Sequence, residues 1–179
     1  PVVFNTLIEL SQKYDELFIQ SPYLIINNEM KKYLNDLENK DITILTNNLD
    51  YNPNYFATSG YIRYRKKIAQ NTKLYEFQSQ SSIHAKTIVM GDEISIIGSF
   101  NIDPRSTFLS TESVVVIYSQ EFTAHLNNTL SQYLNQSLEV DDDGNYISKI
   151  NVEAVNKRNG KRKIIRLLSF FTYFHDELL

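Results

Sequence analysis

An imidazole and an ammonium group, His84 and Lys86, stand two residues apart in a run rich in β-branched side chains. Alternation along a strand puts both on one face while Ala85 and Thr87 turn to the other, so a nucleophile and a fixed cation point into one space. Farther on, Gly98 is followed by Ser99 and Asn101, whose side chains are hydrogen-bond donors suited to phosphoryl oxygens. A glycine just before them lets backbone come close to a ligand. The four groups describe half of a phosphate-handling site. His-x-Lys by itself is a weak signal, because a strand-end histidine beside a solvated lysine is the ordinary meaning of that pair.

The elements that must hold these groups are legible in the pattern. His84–Met90 and Glu93–Gly98 read as two antiparallel strands with Gly91-Asp92 as the turn. Before them, an apolar helical face on Val3, Phe4, Leu7, Ile8, Leu10 and Tyr14 leads to a short buried strand at 16–20. Ser21-Pro22-Tyr23 ends that strand, since proline biases the residue before it away from helix. Asn27 or Asn28 caps a helix through Met30, Leu34 and Leu37, and Ile42–Thr46 is a second strand, parallel to the first across that crossover. Asn47–Pro53 is a polar loop with room to line a site. Residues 55–68 mix aromatic and basic side chains; an amphipathic helix with snorkelling cations and a surface that steers anionic substrates are both open readings. Leu74–Phe77 is a third strand, Thr111–Tyr118 a strongly β-prone one, and Phe122, Leu126, Leu130, Tyr133 and Leu134 mark a helix packed on the sheet.

With this context the segment 84–101 resembles the HxKxxxxD…GSxN signature of the phospholipase D superfamily, with His84, Lys86, Gly98, Ser99 and Asn101 in register. One position departs from it. The signature's acid falls on Gly91, and Asp92 follows one place later; the acid is expected to support the turn, so its loss is expected to reduce activity or, at worst, to abolish it. Ser21-Pro22-Tyr23 and Gly60-Tyr61-Ile62-Arg63-Tyr64-Arg65-Lys66 resemble the SPY and GYxRWRK stretches of bacterial cardiolipin synthases.

The resemblance implies an α/β fold, a mixed β-sheet flanked by helices, with residues 1–140 as a phospholipase D-like catalytic half domain. Residues 141–179 then form a basic amphipathic extension with a C-terminal helix. It implies catalytic roles for His84, Lys86, Asn101 and Glu112, phosphate binding by Ser99, and an acid at Glu112 that orients an imidazole. Because attack and departure occur on opposite sides of phosphorus, one imidazole does not serve both, and a second His-x-Lys half must come from the same parent chain or a homodimer. The implied activity is phosphatidyl transfer from a phosphatidylglycerol-like phospholipid. A homodimeric nuclease or phosphodiesterase and a non-catalytic lipid-binding module are the alternatives.

Composition narrows the classes. The chain has 179 residues, 42% hydrophobic and 22% charged, enough for one domain with a real core or a domain with an appendage. There is no cysteine, which excludes disulfides and thiolate-bound zinc, and the histidines at 84, 125 and 175 lack metal-ligand spacing, so no metal or other cofactor is expected. Asp141–Asn145 is an acidic turn, too short for a calcium hand. Net charge is −3, with six of the 18 basic residues inside 157–166. That polarity argues against nucleic acid, whose enzymes spread positive charge around the site. Six cations followed by Ile164, Ile165, Leu167, Leu168, Phe170, Phe171, Tyr173 and Phe174 have the composition of a helix at an anionic lipid interface, and equally of a terminal helix docked on the domain. A peripheral, membrane-associated bacterial protein is expected. The chain opens inside an apolar helix without an initiator methionine, as a fragment or processed chain does, and Leu178-Leu179 resembles a cardiolipin synthase C-terminus, implying a natural end there.

Overall fold

The structure is a computed structural model that describes residues 2–34, 37, 39–156 and 161–172. Its centre is a seven-stranded sheet in the order β6-β5-β4-β1-β2-β3-β7. The strands are β1 (Glu16–Gln20), β2 (Asp41–Asn47), β3 (Lys73–Phe77), β4 (Thr87–Met90), β5 (Ile94–Gly98), β6 (Val114–Tyr118) and β7 (Ser137–Val140). β1, β2 and β3 are mutually parallel, as helix crossovers require, and the remaining pairings are antiparallel. The mixed sheet flanked by helices is the fold class the sequence led us to expect.

Helix α1 (Val2–Ser11) precedes β1, α2 (Asn28–Leu34) joins β1 to β2, and α3 (Tyr55–Ala69) joins β2 to β3. Asn27 caps α2 by accepting from the Met30 amide at 2.9 Å, and Asn54 caps α3 by accepting from the Ala57 amide at 3.0 Å. Phe4, Leu7, Ile8, Tyr61 and Ile68 of α1 and α3 pack with Leu17, Ile42, Ile44 and Leu74 of the sheet in one core. α4 (Gln120–Asn135) crosses the sheet from β5 to β3 and β7. There the Ser95 and Thr123 hydroxyls bond at 2.7 Å in full burial, and Tyr133 meets Phe77 edge-on. Phe122, expected inside, is exposed, because small Thr123 takes the position against β5.

β7 was not legible in the sequence. Four residues after a helix carry too short a pattern, yet they pair along β3 and bring Gly144 and Tyr146 over α3. There Glu76, fully buried, accepts hydrogen bonds from Tyr61 at 2.6 Å, from the Arg65 Nε at 2.5 Å, and from Tyr146. Arg65 also donates to the Gly144 carbonyl and lies over the Tyr146 ring. The aromatic and basic stretch is therefore an internal tie at Tyr61 and Arg65, which removes these two from any steering surface.

α5 (Lys161–Thr172) lies against α3: Ile165 is fully buried and Arg63 donates to the Ser169 carbonyl at 2.9 Å. Its other side exposes Ile164, Leu167 and Phe170 beside Lys163 and Arg166. The chain residues 157–160 and 173–179, including Tyr173, Phe174, Leu178 and Leu179, lie outside the described residues. Among those described, no helix is long and apolar enough to cross a membrane.

At the start of β1 and the β4–β5 turn, Glu93 accepts from Tyr14 at 2.7 Å and Tyr118 at 2.6 Å. These bonds hold the Glu93 carboxyl below its usual range, and the same contact pushes the Tyr14 phenol up to about 12. A depressed carboxylate contributes stability above its unfolded pKa and loses it as pH falls through the folded value. Glu93→Gln is expected to lower the unfolding midpoint at pH 7, with the gap to wild type closing as pH drops below about 4. Parallel urea titrations across that range measure it.

Candidate active site

The candidate groups gather at the edge where the parallel strands end. β1 stops at Gln20, which pairs with Thr87, so the residues just before β4 face the Ser21-Pro22-Tyr23 turn. His84 and Lys86 lie in extended chain ahead of β4 rather than within it, since ladder pairing begins only at Thr87. The His84 ring is exposed and sits edge-on to Tyr23, centroids 6.0 Å apart at 71°. Tyr23, in the turn that ends β1, is thus a neighbour of the imidazole.

Lys86 folds back to donate to the His84 carbonyl at 2.8 Å, and the Gly98 amide donates to the Lys86 carbonyl at 3.3 Å. Burial lowers the Lys86 ammonium pKa, while the carboxylates of Glu112 and Asp103 pull it the other way. Two acids of the returning segment thus lie within electrostatic reach of the cation. Ser99 donates its hydroxyl proton to Glu112 and accepts from the Ser113 amide at 3.1 Å. Asn101 donates weakly to Ser106 at 3.4 Å, and its Oδ1 is buried without a hydrogen bond. In such a spot an uncommitted acceptor is free to accept a hydrogen bond from an incoming group.

Gly98 has a different reason from the expected one. A Cβ there would lie 2.2 Å from the Ser113 carbonyl, so the close approach is by the backbone of β6 and not by a ligand. That contact seats Glu112 and Ser113 beside Ser99.

Two features of the surrounding chain were missed. Asn47 accepts from the Ile83 amide at 2.7 Å and donates to the Ile83 carbonyl at 2.9 Å, fixing the residue before His84. Asn52 donates to the Pro22 carbonyl at 3.1 Å, fixing the residue before Tyr23. The polar loop 47–53 therefore scaffolds the edge, with Asn47, Asn48, Asp50 and Asn52 all buried. An asparagine-rich run after a strand was its only signal. Asp103 is the second: it is buried, accepts from the Ser106 amide at 2.7 Å, and burial raises its carboxyl pKa. It starts a single π-type turn at Arg105–Leu109, a geometry often found beside functional sites.

Gly91 lies at the other end of β4, about 16 Å from Lys86 at ~3.3 Å per residue. Its φ of +58° favours glycine, and a Cβ would sit 2.9 Å from the Tyr14 ring. Restoring the signature acid with Gly91→Asp is expected to cost about 1–2 kcal/mol in stability. The turnover of properly folded protein should change by less than about twofold, because nothing at position 91 reaches the edge. Urea unfolding beside an activity assay separates the two, and a large gain in turnover would show this placement to be misleading.

Residues 6–134 match the family model described as cardiolipin synthase, PLD-like domain. An uncharacterized protein of Helicobacter pylori is 31% identical over 144 residues, spanning 72% of this chain and 29% of its own length. The major cardiolipin synthase of Bacillus subtilis is 33% identical over 128 residues, covering 70% of this chain and 26% of that enzyme. The chain thus spans less than a third of these relatives. Among solved structures, phosphatidylserine synthase of Haemophilus influenzae superposes with a TM-score of 0.74 at 14% identity, over 99% of this chain and 45% of that one. Such low identity speaks to the fold, but the family match runs through β1 to β6, both crossovers and the edge that bears His84: the chain belongs to the cardiolipin synthase, PLD-like domain family.

Proposed function

We propose that the chain is one catalytic half of a phosphatidyltransferase that works through phosphohistidine chemistry on a phospholipid diester. The observation that supports this best is the meeting of His84, Lys86, Ser99 and Glu112 at one strand edge, linked by hydrogen bonds and charge. One imidazole nitrogen attacks phosphorus and the bond to the leaving alcohol breaks, that alcohol taking a proton from the second imidazole. An acceptor alcohol then gives its proton to the second imidazole and displaces the histidine, returning both groups to their starting state. His84 fills one of these two roles. Lys86 and Asn101 steady the non-bridging oxygens, Ser99 holds one by turning its single hydroxyl proton away from Glu112, and Glu112, so released, orients an imidazole across the interface. Positioned donors of this kind typically contribute about a hundredfold or more each in rate.

The second histidine comes from another half, in the parent chain or a second copy. β6 supports that arrangement: it is the sheet's outer strand beyond β5, it begins beside Glu112, and it exposes Val115 and Tyr118, 62% and 71% accessible. The exposed face of α5, with Lys163 and Arg166 flanking Ile164, Leu167 and Phe170, suits an anionic membrane surface to which the protein binds peripherally. The domain division follows the same reading, with the transferase half in 1–140 and the lipid-facing extension in 141–179.

The full-length parent, or the chain as a homodimer, is expected to release glycerol from phosphatidylglycerol vesicles as it joins two lipids. Cleavage of DNA without lipid turnover would replace this reading by the nuclease one. Vesicle binding without any turnover would replace it by a lipid-binding module.

A further inference from the structure

Between the sheet and the layer of α1, α2 and α3 runs a cavity of about 540 Å³ that the site at the strand edge does not use. Its floor is Leu17 and Ile19 of β1, Ile44 of β2, and Ile88 and Met90 of β4. Strand alternation points all of them to the same face. Protein interiors seldom keep voids larger than a water molecule, whereas ligand pockets run from ~300 to ~1,000 Å³. Water gains little on an apolar floor that offers it few partners, so the space suits a hydrocarbon chain.

Its rim carries the opposite chemistry. Lys31 and Lys67 both line the cavity, and the Lys31 ammonium lies 4.8 Å from the Tyr64 ring centroid. Among the described residues the Lys31 ammonium donates to the neutral Asn28 side chain at 2.9 Å, and neither lysine pairs with a carboxylate there. Burial, and after it the charge of Lys67, lowers the Lys31 pKa, which puts the two cations within electrostatic reach of each other. An anion between them would offset their repulsion.

We propose that this cavity binds a single long acyl chain ending in an anionic group, its tail on the β1, β2 and β4 floor and its carboxylate or phosphate between Lys31 and Lys67. A free fatty acid and a lysophospholipid share this chemistry. The site goes beyond phosphoryl transfer, because its cations project from α2 and α3 and include none of the groups at the strand edge.

Fluorescence of cis-parinaric acid added to the 179-residue chain tests it, with palmitate, lysophosphatidylglycerol and hexadecanol as competitors. Saturable binding near one probe per chain is expected, displaced by palmitate if the source is free fatty acid and by lysophosphatidylglycerol if it is a lipid. Ile44→Trp, which fills the floor, should weaken the probe tenfold or more. Where that variant loses its native circular dichroism, the surface pair Lys31→Gln with Lys67→Gln decides: it should weaken the anionic competitor at least fivefold and leave hexadecanol unchanged. Absence of saturable binding overturns the proposal. So does binding indifferent to the lysine pair, or binding lost only in Leu167→Glu with Phe170→Glu, which would put the probe on α5. Binding is read without turnover, so either result leaves the transferase reading to its own assay.

Discussion

His84→Ala is expected to lower phosphatidyl transfer by about a thousandfold or more, the scale on which removing a nucleophile or its proton partner acts. The loss should appear in kcat with KM for lipid little changed, since the ring is exposed at the mouth of the edge and no buried contact of the substrate rests on it. For the same reason unfolding stability should stay within about 0.5 kcal/mol of wild type. Lys86→Gln is the companion. Its ammonium is partly desolvated against the His84 carbonyl and within electrostatic reach of Glu112 and Asp103, so its removal should slow transfer about a hundredfold. The assay is glycerol release in a protein that supplies both halves, with acid-labile phosphate on histidine sought after rapid quenching. A His84→Ala protein that kept full turnover would remove the strand edge from the mechanism.

Much of this was readable from residue types because local and tertiary demands agreed. β4 and β5 appear where β-branched runs flank Gly91-Asp92, β1 and β2 are parallel because a capped helix separates them, and Gly98-Ser99-x-Asn101 returns beside His84 by hairpin pairing alone. The rest depends on contacts distant in sequence. Nothing in Gly98 itself distinguishes a glycine that admits a ligand from one that admits the β6 backbone; only the register of Gly98 against Val114 decides. Asn47 looks like loop until Ile83, 36 residues later, comes to lie against its amide. Gly91 stands where the signature has an acid expected to support the turn, and its positive φ over Tyr14 shows a turn built for glycine, with Glu93 supplying the carboxylate that ties the turn down.

Arg65→Ala is expected to destabilise the chain by about 3–5 kcal/mol, because it leaves the fully buried Glu76 carboxylate without its cation. For a domain whose whole stability is about 5–15 kcal/mol, this lowers the unfolding midpoint severely and brings expression problems with it. A steering role predicts something else: a raised KM for anionic lipid, relieved by high salt, in a protein of normal stability. The two expectations separate cleanly in urea unfolding beside lipid kinetics at low and high salt. The double variant Arg65→Met with Glu76→Leu sharpens the test. Removing both charges abolishes the uncompensated burial, so it should recover more than half of the loss even though Tyr61 and Tyr146 then lose their shared acceptor. Recovery of that kind identifies the pair as a brace between α3, β3 and the 144–146 turn. If Arg65→Ala instead unfolds like wild type, the guanidinium is not carrying Glu76, and the basic helix returns as a candidate for meeting the lipid's phosphate.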